Sequence, residues 1–175
     1  MKQNKRVLIL IAPLFDEREF IYPYYRLLEE GYTVDVAGPK ADTYKGKTDF
    51  SFEAPLAFKG LKASDYDALL VPGGFAPDKI RTEQAALDLV RAFKEAGKPI
   101  AMICHAGWVA ASAGIAKGVK LTSTKAIKDD LVHAGADWVD KEVVVDQRMV
   151  TSRGPDDMPA FMRAFIKEIE KDSKK

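Results

Sequence analysis

The chain has 175 residues, and 47% of them are apolar, which is enough for one domain with a substantial core. Lys and Arg number 27 against 26 Asp and Glu, so no sustained surface field attracts nucleic acid or a membrane surface, and neither is expected as a partner. The single cysteine forms no intrachain disulfide and fits no multi-cysteine zinc pattern, so its chemistry must be that of a free thiol.

The first predicted element is a strand at residues 7–12, an unbroken apolar run typical of a central parallel strand covered on both faces. The run is too short for a signal-peptide core or a membrane span, so we expect a cytoplasmic protein. Residues 17–30 carry apolar side chains at helical spacing, and Gly31 follows as a stop. Residues 33–37 predict a second strand.

The middle of the chain is more polar. Residues 38–48 include two glycines and predict a loop, whereas residues 49–58 alternate weakly, as an added edge hairpin would. Residues 67–71 predict a third strand, which ends in Pro72-Gly73-Gly74, and residues 83–96 predict an amphipathic helix.

The remaining predicted elements continue the alternation of strands and helices. They are a strand at 99–103, a helix from about 106 to 113, a helix at 125–134, strands at 142–145 and 149–152, and a helix from 156 to about 170. This order predicts an α/β protein with a doubly wound, mostly parallel sheet, and no linker or composition shift divides residues 1–175 into separate domains.

The strongest candidate for chemistry is Cys104, which follows the strand at 99–103 where the chain turns abruptly into a helix. This geometry is typical of a nucleophile elbow, in which the helix amino end stabilises a thiolate. The small neighbours Ala106 and Gly107 would allow such a tight turn. The alternative is that Cys104 is a buried apolar residue that only fills the core.

His105 directly follows the cysteine. Neighbours at a strand end usually point in opposite directions, so contact between the imidazole and the thiol depends on the turn. The backbone N–H of His105 could instead donate to an oxyanion, or the ring could be a hydrogen-bonded turn histidine with no part in chemistry.

Two further groups fall at the same predicted sheet edge. Gly73 and Gly74 allow the backbone to turn its N–H groups toward an anion, although a glycine pair in a loop is common. Asp16, Glu17 and Glu19 cluster at the start of the first helix, where acidic residues also simply favour the helix dipole.

Together these segments resemble the DJ-1/PfpI family, of the class I glutamine amidotransferase-like fold. The matching stretches are Glu19-Phe20-Ile21-Tyr22-Pro23, Leu70-Val71-Pro72-Gly73-Gly74 through Ala76-Pro77-Asp78, Ile103-Cys104-His105, and Ile127-Lys128-Asp129-Asp130-Leu131 with several later ones. They run in family order from about residue 6 to 169. The resemblance implies a three-layer α/β/α sandwich with a flavodoxin-like sheet.

The resemblance also implies roles for individual residues. Cys104 matches the family's nucleophile, His105 matches the histidine that follows it in the PfpI-type branch, and Glu19 matches the glutamate that contacts the thiol. Asp78 falls where that branch has a glutamate that reaches the histidine from a neighbouring subunit. The acid here is one methylene shorter than that glutamate.

The expected oxyanion hole involves Gly73 and Gly74, with His105 or Ala106 as the second donor. Two positions depart from the family pattern: Ala106 replaces a usual glycine, and Thr124 replaces a tyrosine common in protease-like members. The second departure lowers peptide hydrolysis among the expected activities.

Three functions are compatible with this site. The first is a glyoxalase or deglycase that acts on a small carbonyl compound such as methylglyoxal, or on a modified protein, and forms lactate. The second is a PfpI-type peptidase or amidase, and the third is a redox-sensing or chaperone-like stress protein with an oxidisable cysteine. No motif requires a metal or an organic cofactor. The resemblance implies a homodimer or homohexamer, with Tyr22 to Tyr25 as one candidate dimer surface.

Overall fold

The computed structural model describes residues 4–171. Its strands are β1 (Arg6–Leu10), β2 (Thr33–Gly38), β3 (Asp42–Lys45), β4 (Ser51–Ala54), β5 (Leu56–Ala57), β6 (Ala68–Val71), β7 (Ile100–Ile103), β8 (Lys120–Leu121), β9 (Asp137–Trp138), β10 (Val143–Asp146) and β11 (Met149–Ser152). Its α-helices are α1 (Glu17–Glu29), α2 (Ala76–Ile80), α3 (Gln84–Glu95), α4 (Gly107–Ala113), α5 (Lys128–His133) and α6 (Met158–Glu170).

The main sheet has the strand order β10-β11-β7-β6-β1-β2-β5. All its neighbouring strands are parallel except β10 and β11, which form an antiparallel hairpin at one edge. The five inner parallel strands follow the order second, first, third, fourth, fifth, which is the flavodoxin-like order. The predicted α/β fold with a mostly parallel, doubly wound sheet is therefore confirmed.

The reversal of strand order between β1 and β6 explains the layers. The connection from β1 to β2 and the connection from β6 to β7 run in opposite directions across the sheet. Because such crossovers are right-handed, their helices α1 and α3 lie on opposite faces. Val7, Leu8, Ile9 and Leu10 of β1 are fully buried between these layers, as their apolar run predicts.

The polar segment at residues 38–48 contains strand β3, which pairs with β4 in a separate hairpin, so the loop predicted there is wrong in part. The cause is one side chain in a polar sequence. Tyr44 is buried against Gly38, and its hydroxyl both accepts from the Lys40 N–H and donates to the Lys40 carbonyl, each at 2.9 Å. A single buried aromatic residue leaves no periodic pattern to detect.

Two further small elements of the structure are not predicted from the sequence. The short helix α2 follows the glycine pair, and the two-residue strands β8 and β9 form a parallel pair beside α5. No helix within residues 4–171 is both long and apolar enough to cross a membrane.

Candidate active site

Cys104 occupies a tight turn at the carboxyl end of β7. Its backbone φ is +61°, a left-handed conformation that is costly for a residue other than glycine. The residues Cys104–Ala106 form one 3₁₀ turn, and α4 begins directly after it at Gly107. The side chain is half-buried and belongs to no disulfide. The strained turn matches the elbow geometry that the sequence predicts.

The thiol lies close to two backbone donors and one acid. The N–H groups of His105 and Gly74 both hydrogen-bond to the sulfur and favour the thiolate. Burial acts in the opposite direction, as does the Glu19 carboxylate, and these two effects raise the pKa of Cys104 to about 12. Burial therefore disfavours the thiolate that the helix dipole would favour, an ionised Glu19 disfavours it further, and the resting sulfur is a thiol.

Glu19 lies on the first turns of α1 and is fully buried. Its Oε2 accepts a hydrogen bond of 2.7 Å from the Gly73 N–H, whereas Oε1 has no hydrogen-bond partner among the described residues. Burial first, and the neighbouring Asp16 charge second, raise its pKa to about 7. A carboxyl group with this pKa exchanges protons readily at neutral pH.

Gly73 separates the acid from the nucleophile. A Cβ at this position would overlap Glu19 Oε2 and would lie 2.7 Å from the Cβ of Cys104. The absence of a side chain is what allows Glu19 and Cys104 to approach the same backbone atom from two sides. This close packing is a specific reason for glycine here, which the sequence alone does not supply.

Gly74 aims its N–H at the sulfur because its backbone is left-handed, with φ +79°. It forms an isolated antiparallel bridge with Phe15, and a Cβ at Gly74 would collide with the backbone between Leu14 and Asp16. Ala106 lies buried in the Cys104–Ala106 turn, and the backbone donors that face the sulfur are Gly74 and His105.

The turn also brings the imidazole of His105 to the thiol. Nδ1 lies 3.2 Å from Sγ, because the left-handed backbone of Cys104 breaks the alternation of side chains along the strand. Burial first, and the Lys47 ammonium second, lower the pKa of His105. The ring is therefore neutral at pH 7 and able to accept a proton.

Asp78 does not join these groups within one chain. It lies exposed on α2, and its carboxylate is 3.9 Å from the ammonium of Lys79. Helix α2 packs against the Cys104–Ala106 turn, but within residues 4–171 no carboxylate forms a hydrogen bond or an ion pair with the His105 ring. The structure thus brings together Cys104, His105, Glu19, Gly73 and Gly74, and leaves Asp78 at the periphery.

Lys47 is a site residue that the sequence does not reveal. It lies between β3 and β4, and its Nζ is 3.3 Å from Asp16 Oδ2, at the amino end of α1. Its charge lowers the pKa of both His105 and Glu19. A lysine in a polar loop carries no distinguishing pattern, and only the fold places it near Cys104. Within residues 4–171 no three His, Cys, Asp or Glu side chains are grouped so that they could hold a metal ion.

Comparisons with known proteins agree with the fold. The model of the DJ-1/PfpI family matches residues 5–168. A deglycase of Pyrococcus abyssi is 46% identical, over 94% of this chain and 99% of the relative. Protein/nucleic acid deglycase 2 of Escherichia coli is 37% identical, over 94% and 97%. The crystal structure of Drosophila melanogaster DJ-1beta superposes with a TM-score of 0.87 at 33% identity, over 97% of this chain and 90% of that one.

Proposed function

The chain belongs to the DJ-1/PfpI family, and from this premise we propose that it is a cysteine-dependent deglycase. Its substrates would be small reactive carbonyl compounds such as methylglyoxal and their adducts on protein amines. One observation carries the proposal: the Cys104 thiol lies against two backbone donors, a neutral imidazole at 3.2 Å and a buried carboxyl group whose pKa is about 7. The deglycase names of the relatives support it.

In the first step His105 acts as the base. Its neutral Nδ1 takes the thiol proton while Sγ bonds to the carbonyl carbon, which avoids forming a free thiolate beside Glu19. The N–H groups of Gly74 and His105 then stabilise the oxyanion, which is protonated to a hemithioacetal. With an adduct on a protein amine, Sγ bonds to the carbon that carries the nitrogen. The C–N bond breaks, and the departing amine takes up the proton that came from the thiol.

In the second step Glu19 moves a proton. Its carboxylate removes the proton from the carbon bonded to sulfur, and its carboxyl form returns a proton to the adjacent carbon. The hydroxyl proton of the hemithioacetal passes to the neighbouring oxygen, and the product is a lactoyl thioester. Water then cleaves the thioester to lactate and restores the thiol. One water is consumed, and oxidation of one carbon balances reduction of its neighbour, so no external oxidant enters.

Lactate formation from methylglyoxal, with glutathione absent, tests this proposal. We expect lactate from the wild type and at least about a thousandfold less from Cys104→Ala, since covalent catalysis depends on that sulfur. His133→Ala is the matched control for His105→Ala, because His133 is exposed on α5 and distant from the thiol in the chain. Absence of lactate from the wild type would refute the proposal, as would full activity in Cys104→Ala.

A second candidate function is peptide or amide hydrolysis, which the Cys104–His105 contact favours because a thiol and an imidazole are the core of a cysteine-peptidase site. This function would use Asp78 from a neighbouring subunit, and we propose a homodimer or homohexamer on that ground. Cleavage of a casein-derived peptide by the wild type, lost in both Cys104→Ala and Asp78→Asn, would favour it. Cleavage that survives Asp78→Asn would exclude the shared triad.

We place the reaction in the cytoplasm, where a single free cysteine persists in the reduced state. The E. coli relative is named for nucleic acid as well as protein. A glycated nucleotide should therefore be assayed beside a glycated peptide. If neither is processed and peroxide converts Cys104 to a sulfinate without turnover, the redox-sensor hypothesis is favoured instead.

A further inference from the structure

The orientation of His105 needs a physical cause. In a triad, a carboxylate hydrogen-bonded to the far ring nitrogen holds the imidazole in place. Here no carboxylate within residues 4–171 is hydrogen-bonded or ion-paired to that ring, yet Nδ1 is held 3.2 Å from the thiol. The aromatic neighbour of the imidazole is Trp108, one turn further on, with ring centroids 5.1 Å apart and planes inclined by 57°. The indole lies tilted against the imidazole and restricts its rotation.

The indole is itself fixed from two other elements. Its Nε1–H donates a 2.7 Å hydrogen bond to Asp130 Oδ2 on α5. The guanidinium of Arg81, just after α2, lies over the ring at 5.4 Å from the centroid and is held by a 3.0 Å hydrogen bond from its Nε to Ser112 Oγ. A half-buried tryptophan with its only donor engaged and a cation over its face has little freedom to rotate.

We propose that Trp108 is a positioning residue that holds the His105 imidazole toward Cys104, and that Asp130 acts through the indole N–H to fix Trp108. The chain of contacts runs from Asp130 to Trp108 to His105 to Cys104 within one subunit. It supplies the orientation that a directly bonded acid supplies in a triad. The inference rests on the proposed function only in assigning His105 as the base, and its test requires no turnover.

Alkylation of Cys104 by iodoacetamide measures this positioning directly. The rate constant depends on how well His105 assists removal of the thiol proton, and it is measured from pH 6 to pH 9. We expect Asp130→Ala and Trp108→Phe to slow alkylation about tenfold near pH 7, because misplacement of a base by about 1 Å costs up to 10²-fold. Asp130→Asn keeps an acceptor oxygen for the indole N–H and should restore most of the rate.

A double-variant comparison separates positioning from general disturbance of the fold. In a His105→Ala background the further change Asp130→Ala should have no additional effect, because the group through which it acts is gone. Asp129→Ala is the matched control, since it removes the neighbouring exposed acid of the same helix. It should alkylate at the wild-type rate, and unchanged near-ultraviolet circular dichroism should accompany every variant.

Three results would overturn the proposal: equal slowing by Asp130→Ala with and without His105, equal slowing by Asp129→Ala, or wild-type alkylation in both Asp130→Ala and Trp108→Phe. None of these depends on methylglyoxal turnover. A failure of the deglycase proposal therefore appears in the lactate assay alone, and a failure of the positioning proposal appears in the alkylation profiles alone.

Discussion

The two ends of the parallel strands differ in how their charged side chains are paired. At the amino end, near the starts of β1, β6 and β7, several charged side chains are ion-paired or hydrogen-bonded. Arg6 donates through Nε to Asp35 at 2.8 Å, and Lys5 lies 3.6 Å from Asp67. The ammonium of Lys98 donates to the carbonyl oxygens of Ala63 and Tyr66 at 2.7 and 2.5 Å.

At the carboxyl end, one buried carboxyl oxygen lacks a hydrogen-bond partner among the described residues and one residue has a strained backbone. Glu19 is fully buried with one carboxyl oxygen unpartnered among the described residues, and Cys104 holds a left-handed backbone. Such features destabilise a fold by a few kcal/mol each unless something compensates them. The amino end shows that this chain can pair buried charges, so the unpartnered oxygen of the buried Glu19 carboxyl beside Cys104 is a feature that the proposed chemical role would explain.

The largest expected effect is that of Glu19→Gln, which tests whether the buried carboxyl group at the carboxyl end acts in the reaction. The amide retains an oxygen that can accept from the Gly73 N–H but cannot accept or donate a proton in the reaction. We expect lactate formation to fall about a thousandfold, within the range for loss of a general acid or base. Alkylation of Cys104 at pH 8 should be at least as fast as in wild type, because His105 remains beside the thiol and the Glu19 charge that raises the pKa of Cys104 is gone.

This combination distinguishes a proton carrier from a packing residue. If alkylation falls as far as lactate formation, Glu19 serves to hold the turn rather than to move a proton. Equal lactate formation in wild type and variant would remove Glu19 from the reaction altogether.

The second prediction concerns stability and pH. Burial raises the folded-state pKa of Glu19 from 4.5 to about 7, so between these values the folded protein binds a proton more tightly than the unfolded chain. Its stabilising contribution is complete below pH 4.5 and is lost as the pH rises through 7. From pH 4 to pH 9 this amounts to about 3 kcal/mol of unfolding free energy.

Glu19→Gln lacks this ionisation and provides the reference. Urea unfolding of both proteins at pH 5, 7 and 9 should show the variant gaining stability relative to wild type as the pH rises. A constant difference across these pH values would show that Glu19 keeps an ordinary pKa, and its assignment as the proton carrier would then lack support.

Much of the fold could be predicted from the sequence, because apolar runs such as that of β1 and stops such as Gly31 reflect burial directly. The hairpin of β3 and β4 could not, since one buried tyrosine supplies its anchor. Strand-end placement also brought Cys104, Gly74 and Glu19 to one edge of the sheet. Whether these side chains can react together depends on the distances between them, and those distances are set by the local turn conformations.

His105 illustrates that limit. Alternation along a strand predicts that it points away from the cysteine, and only the left-handed φ of Cys104 reverses this. Trp108 and Asp130 are separated by 22 residues, and no sequence pattern links them, although their hydrogen bond is 2.7 Å. Asp78 keeps its place as an acid supplied across a subunit interface only as a prediction, because within one chain it lies exposed beside Lys79.

The smallest expected effect is that of a lysine substitution at the amino end of the strands. Lys98→Met keeps the aliphatic stem but removes the ammonium, so the carbonyl oxygens of Ala63 and Tyr66 lose a charged donor. Hydrogen bonds to a charged group contribute about 2 kcal/mol, and we expect the unfolding free energy to fall by about this amount. Lys59→Met, which removes an exposed lysine nearby, should change it by less than about 0.5 kcal/mol.

Both lysine variants should form lactate at the wild-type rate under conditions where they are fully folded. The amino end stabilises the sheet, but it lies a full strand length from Cys104, and its charges are already satisfied by their partners. A drop in lactate formation by Lys98→Met without a matching loss of stability would mean that satisfied charges at one end of the sheet tune reactivity at the other. The amino end of the strands would then contribute to reactivity as well as to stability.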